Sequence, residues 1–219
     1  MNPSPVEKHF NEIAKDYDFY TKKRDLHYSN LKKLLRRLIF PKRRVFEVGC
    51  GTGDLLVYLR PKVGYGMDIS SGMIEIAKSK YKSKKNIIFS TKWPNGDFDY
   101  IFMSDVIEHL ENPEDSFKKI SNLMRKNSVF ICTMMNPLWE PIAMVYEWLG
   151  LKMSEGIHKR RSFKEIEKVL YTVGLRVISH DYKLLIPIKI PFITKLSNKY
   201  LEGPFKKFAF IEYFTAKIV

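Results

Sequence analysis

The hydrophobic positions follow two alternating rhythms. Short apolar runs bounded by turn-forming residues recur at 43–49 (RRVFEVG), 63–69 (VGYGMDI), 86–90 (NIIFS), 98–104 (FDYIFMS) and 128–135 (SVFICTMM), and each reads as a buried strand. Between them the spacing changes to that of a helix. Met73, Ile74 and Ala77 share one face, Phe117, Ile120 and Met124 another, and Phe163, Ile166, Val169, Leu170 and Val173 a third. Residues 6–20 and 25–40 predict two helices ahead of the first strand, and 53–60 a short helix just after it. Residues 175–186 and 207–218 complete the pattern as strands.

Several helix ends are also written in the chain. Asn112 is a good N-cap, Pro113 fits the first helical position, and Glu114 and Asp115 favour the helix dipole. Ser162 and Glu165 have capping-box spacing, and Gly174 is placed to end that helix. Repeated strand–helix alternation predicts an α/β fold, a mostly parallel seven-stranded sheet with helices on both faces. At 219 residues the expectation is a single domain spanning 1–219.

Composition narrows the function. The net charge is +14, and the basic residues cluster at Lys22, Lys23 and Arg24, at Lys32, Lys33, Arg36 and Arg37, and at Lys42, Arg43 and Arg44. Such a balance favours nucleic acid or anionic lipid headgroups, or else reflects a solvated basic surface. Cys50 and Cys132 lie far apart and form no CxxC pair; two cysteines cannot complete an all-cysteine metal cage, the count does not suggest a secreted disulfide scaffold, and no metal site is expected. The N-terminus lacks the apolar core of a signal peptide, and no apolar run approaches the roughly 20 residues of a membrane span. The expected location is cytoplasmic, with peripheral contact at an anionic membrane kept open.

The strongest chemical signal is Glu47-Val48-Gly49-Cys50-Gly51-Thr52-Gly53 at the end of the first strand. Glycines there let the backbone turn tightly and approach a ligand, and the following helix points free N–H groups at it. The dinucleotide fingerprint fails, because a GxGxxG register starting at Gly49 meets Asp54 where glycine is required. Asp68 follows at the end of the second strand, placed to accept hydrogen bonds from two ribose hydroxyls.

The acidic-x-Gly-x-Gly-x-Gly spacing resembles that of class I S-adenosylmethionine-dependent methyltransferases. The stretch Phe98–Leu110 resembles the strand-four region of family members that act on quinone precursors and other small molecules. Glu155-Gly156-Ile157-His158 is similar to a segment of the ubiquinone-biosynthesis O-methyltransferases, and Phe10–Asp18 to an opening helix that closes over cofactor and substrate. The resemblance covers most of the chain, strongest over 44–136 and weak beyond 180. It implies a Rossmann-like class I fold with an N-terminal helical lid at 1–40, a core at 41–183, and an apolar, basic loop and last strand at 184–219.

It further implies S-adenosyl-L-methionine as cofactor, S-adenosyl-L-homocysteine as product, and a binding set of Glu47, Gly49, Cys50, Gly51, Gly53, Asp68, Ile69, Ser90, Thr91 and Ser104, with Tyr17 and Tyr20 on the lid. The chain departs from the family after the third strand, where Ser90-Thr91-Lys92-Trp93-Pro94 has no carboxylate for the adenine amine. Candidate catalytic residues are His109, His158 and Asp105. If a helix began near Asp105, that carboxylate would share a face with His109 four residues on and could orient the imidazole as a base. Both histidines also fit plain packing or surface roles.

The expected partner is a small-molecule or lipid-linked acceptor. Residues 184–193, apolar and interrupted by prolines, with lysines around them, suit a membrane interface, a greasy substrate, or packing on the domain itself or on a partner subunit. An RNA substrate is the alternative that charge offers, although Ser104-Asp105-Val106-Ile107 lacks the Asn/Asp-Pro-Pro-aromatic pattern of base-amine methyltransferases. A non-catalytic cofactor-binding regulator is the third reading.

Overall fold

Seven strands form one sheet in the order β3-β2-β1-β4-β5-β7-β6. The strands are β1 (Arg44–Val48), β2 (Val63–Met67), β3 (Ile87–Ser90), β4 (Phe98–Ser104), β5 (Met124–Met135), β6 (Leu175–Lys183) and β7 (Ile211–Ile218). The computed structural model describes residues 3–23, 25–149, 156, 159–188 and 193–219. β1 to β5 pair in parallel, while β7 runs antiparallel between β5 and β6.

The helices are α1 (Pro5–Lys23), α2 (Asp25–Leu38), α3 (Asp54–Leu59), α4 (Ser71–Lys80), α5 (Pro113–Asn122), α6 (Glu140–Trp148), α7 (Phe163–Thr172) and α8 (Ile193–Leu196). Strand residues alternate between two cores. Phe46, Met103 and Phe130 pack with α5 and α7 through Phe117, Ile120, Ile166 and Leu170. Val45, Phe102 and Ile131 pack with α2, α3 and α4 through Leu31, Leu35, Leu56 and Ile74. Burial on both faces explains why these strands read as continuous apolar runs.

The expected caps form. Asn112 accepts from the amides of Glu114 and Asp115, and Ser162 and Glu165 close a reciprocal capping box. Gly174, at φ +77°, follows the end of α7. Three expectations shift. The strand expected over 207–218 begins at Ile211, after a 3₁₀ turn at Lys206–Phe208. Met124, expected on the helix face of Phe117 and Ile120, opens β5 instead, because α5 ends at Asn122. The strand expected over 175–186 stops at Lys183, because Leu184 takes φ +67° and turns inward. There it is buried with Leu34 and Ile211, and Asn198 clamps the backbone of Ile186 through both N–H and C=O. The start of the 184–193 loop is therefore packed on its own domain, whereas Ile188 is exposed and residues 189–192 lie outside those described. Helix α6 falls where the apolar pattern shows no one-sided face, and none of its residues is buried. No described helix is long and apolar enough to cross a membrane.

The strand order reverses between β1 and β4, whose carboxyl ends lie side by side (Val48 opposite Met103). In open α/β sheets a crevice opens at such a switch point.

Candidate active site

The glycine loop is built by backbone constraint. Gly49, Gly51 and Gly53 all take left-handed φ, at +70°, +49° and +86°. A Cβ on Gly49 would lie 2.4 Å from a methyl of Val106, so the loop meets the far wall of the crevice with no room for a side chain. The amides of Gly49 and Cys50 both donate to Met67 O, tying the loop to the end of β2.

Two buried carboxylates hold this loop from beneath. Asp68 accepts from Gly51 N through Oδ2 (2.8 Å) and from Ser70 N through Oδ1 (2.9 Å). Burial raises its pKa above the ordinary aspartate value, against the pull of these two N–H groups. Its oxygens keep lone pairs for further donors. Glu47 accepts from Leu56 N (3.1 Å), the third residue of α3, and so supplies the cap that Gly53 has no side chain to provide. Burial drives the Glu47 pKa well above the usual range, and the neighbouring Asp68 and Asp54 charges add to the rise. The Cys50 thiol is likewise pushed up by burial, which makes it an inert wall rather than a nucleophile.

A cavity of about 450 Å³ opens above the loop. Of the residues expected from the sequence, Tyr17, Gly49, Gly51, Asp68, Ile69, Thr91, Ser104, Asp105 and His109 line it. Glu47, Cys50, Gly53, Ser90 and Tyr20 are not part of this lining, while Glu47 and Cys50 line a smaller pocket that shares Tyr17, Gly49 and Ser104 with it. His158 lies outside the described residues. The hydroxyl of Ser104 is buried with no partner among the described residues. The loop's missing side chains, this orphan hydroxyl and the remaining lone pairs of Asp68 fit a ligand carrying a ribose and an amino-acid tail.

The pairing expected between Asp105 and His109 is not what the chain builds. No helix begins at Asp105. That residue takes φ +54°, and only a 3₁₀ turn, Ile107–His109, follows. Asp105 and His109 therefore do not sit at helical i, i+4 spacing. The Asp105 carboxylate lies 3.1 Å from Nε2 of His27, on α2. Because a carboxylate only accepts, Nε2 carries the proton, while Nδ1 is buried without a partner among the described residues. Tyr28 and Phe210 meet the His27 ring edge-on. His109 instead packs edge-on against Phe10 of α1, with ring centroids 5.2 Å apart.

Helix α1 lies across the cavity and is latched twice. Asn11 Oδ1 accepts from Ser70 Oγ (2.8 Å) and Gly72 N (3.0 Å) at the start of α4. Asp18 accepts from Thr52 Oγ1 (2.6 Å) and pairs with Lys80 (2.6 Å). Burial works against ionisation of Asp18, but Lys80 and Thr52 outweigh it and hold the carboxyl below its usual value.

Sequence reasoning missed His27, Asn11 and Trp93. Histidine at a position sharing the apolar face of Leu31, Leu34 and Leu35 was the available signal for the first. Trp93 lines the cavity beside Thr91, edge-on to Phe46 with Lys119 over its ring, in the loop that lacks the adenine carboxylate.

This architecture is that of a methyltransferase, and comparison with known proteins gives the family. A family model described as a methyltransferase domain matches residues 20–180, and the chain belongs to that family. A malonyl-[acyl-carrier protein] O-methyltransferase of Legionella pneumophila is 28% identical over 148 residues, which cover 60% of this chain and 50% of that protein. The chain thus spans about half the length of that relative. A ubiquinone biosynthesis O-methyltransferase of Dinoroseobacter shibae is 23% identical over 86% of this chain and 77% of its own length. Among solved structures, a Haloferax volcanii methyltransferase in complex with the Trm112 activator has a TM-score of 0.72 at 19% identity, covering 95% of this chain and 97% of that one, which bears on the fold alone.

Proposed function

We propose that this methyltransferase acts on a small-molecule or lipid-like acceptor enclosed beneath α1. The observation that carries this reading is the closure of α1 over a cavity of about 450 Å³, a size suited to small ligands. Val6, Phe10, Val106 and Leu110 give the cavity apolar surface, and Ser4, Asp105, His109, Glu111, Asn112, Asp115, Ser116 and Lys119 are polar groups in its lining. The Dinoroseobacter relative, named for ubiquinone biosynthesis, agrees with it, and the Legionella relative is named for a malonyl group on an acyl-carrier protein.

In this reading Gly49 and Gly51 would hold the amino-acid end of S-adenosylmethionine and Asp68 its ribose hydroxyls. Ile69, Thr91 and Trp93 would frame the adenine, and Ser104 and Tyr17 would close the remaining sides. The bound cofactor supplies an electrophilic methyl group on sulfonium. Asp105, aimed at the cavity and fixed by His27, would draw the proton from an acceptor hydroxyl or amine or stabilise its developing charge. His109 would shape the acceptor side, and His158 remains a second candidate base. Exclusion of water by α1 would strengthen each of these polar contacts.

Labelled methyl transfer from S-adenosylmethionine into a cell extract, split into lipid, small-molecule and RNA fractions, tests the reading. Label in the lipid or small-molecule fraction is expected. Label in RNA would overturn it in favour of a substrate drawn by the +14 charge.

A further inference from the structure

We infer that the amino-terminal edge of β1, β2 and β3 is a docking surface for single-stranded RNA, at the opposite end of these strands from the cavity. The inference goes beyond the proposed acceptor, because it concerns where the protein is held and not what it methylates.

Three loops enter these strands, spanning 39–43, 60–62 and 81–86. The first carries Lys42 and Arg43, the second Arg60 and Lys62, and the third Lys82, Lys84 and Lys85, and none of the three holds an acidic residue. Hydrogen bonds fix the loops side by side. Lys42 N donates to Arg60 O (3.2 Å), Lys62 N to Arg43 O (2.8 Å), and Asn86 Nδ2 to Pro61 O (2.8 Å). Neighbouring strands lie about 4.8 Å apart, so the loops set their cations in one row. All seven of these residues are exposed, and none forms an ion pair among the described residues.

The fold itself does not answer this charge. Glu47 and Asp68 are buried beneath the glycine loop, Asp54 meets Lys80 and Tyr81, and Asp97 pairs with Arg125. Glu75 on α4 and Asp99, which accepts from Arg44 N (2.8 Å), remain. The carboxyl ends of α2, α3 and α4 also reach this edge, each with about half a negative charge. Added to the two acids, they balance about half of the row.

The surplus selects a polyanion, and the neighbouring rings select a single strand. Phe40, in the first loop, is 61% exposed, and Tyr58, two residues before Arg60, is 41% exposed. The Lys32 ammonium lies 5.6 Å from the centre of the Tyr58 ring. Unpaired bases stack on such rings while their phosphates meet lysine and arginine, an arrangement closed to a duplex, whose bases are stacked inside. A bilayer fits this edge less well. The five residues of β1 set it roughly 16 Å from the glycine loop, at about 3.3 Å per residue, so lipid docked here would face away from the cavity.

The test is fluorescence anisotropy of a short labelled RNA oligomer of mixed sequence, titrated with the full chain over a range of salt. The parent is expected to bind and to release the RNA as salt rises. The combined variant Lys42→Glu, Lys62→Glu, Lys84→Glu changes one residue in each loop. It is expected to lose about tenfold or more of that affinity and to show a flatter salt dependence. The combined variant Lys118→Glu, Lys164→Glu, Lys168→Glu makes the same change of net charge at exposed positions of α5 and α7, and is expected to bind like the parent. Circular dichroism matching that of the parent reports that both variants are folded. Equal loss in the two variants would overturn the inference, since binding would then follow net charge alone. So would tighter binding to a duplex of the same sequence, or a parent that binds phosphatidylglycerol vesicles and not RNA.

Discussion

Over β1 and β2, the carboxyl edge of the sheet is finished by backbone. Three left-handed glycines, two buried carboxylates and a ladder of N–H bonds set every turn there. Over β5, β7 and β6 the same edge is finished by side chains, with a helix that buries nothing and with Phe205 and Phe208 facing outward. The first half tolerates little change, because its turns leave no room for side chains. In the proposed function it would hold the cofactor, and the second half would border the acceptor. Asp105 stands at the join, in β4's exit loop and opposite the glycine loop.

Mutations at the join and on either side of it separate the two halves. Asp105→Ala should lower labelled methyl transfer in the extract assay by roughly 10²–10⁴-fold, with calorimetric affinity for S-adenosylhomocysteine nearly unchanged. A parallel collapse of cofactor affinity would move Asp105 to the cofactor half. Gly49→Ala forces a Cβ into Val106 at a left-handed φ, and denaturant unfolding should show a loss of roughly 2–4 kcal/mol. A stable variant would mean that the loop relaxes and that the rigidity argued here is absent. Asp68→Ala should weaken S-adenosylhomocysteine binding by about 1.5–3 kcal/mol, as for a hydrogen bond to a charged group. Binding unchanged by calorimetry would leave Asp68 as a brace for Gly51 and Ser70 only.

The smallest effect concerns the lid. The Asp18 pKa is depressed in the folded chain, so its contribution is fully present above the ordinary aspartate range and is lost as pH falls through the folded value. Asp18→Asn should remove a few tenths to about 1 kcal/mol. Hydrogen exchange in α1 should then speed up at neutral pH and lose its acid dependence. An unchanged exchange profile would show that Asn11 alone fastens the helix.

The same contrast decides what was legible in the sequence. Gly49, Gly51, Asp68 and the caps at Asn112 and Ser162 were readable because each answers to a local backbone demand that few residues meet. The sheet was readable because burial on both faces leaves unbroken apolar runs. The His27–Asp105 contact was not, since it joins residues 78 apart through tertiary packing, and a helix through Asp105 was the simpler local reading. Helix α6 lacks the one-sided stripe that betrays a core helix. Leu184 looked like part of an exposed loop because only its left-handed turn, invisible in composition, carries it inward.

The placement of β7 has a consequence for how the chain folds as it is made. Among the described residues β6 has no sheet neighbour other than β7, and β5 meets that half of the sheet only through β7. The strand that joins them is drawn from residues 211–218, so the five parallel strands and both latches of α1 can form while β6 still waits for its partner. During that interval the edge of β5 and the apolar face of β6 are open to other chains, the hazard attached to any unpaired strand. Pulse-labelling hydrogen exchange during refolding would resolve the order, with β1, β2 and β4 protected before β6 and β7. A late, separable closing step would also make this half of the sheet the first to open under stress, while the cofactor half stayed intact.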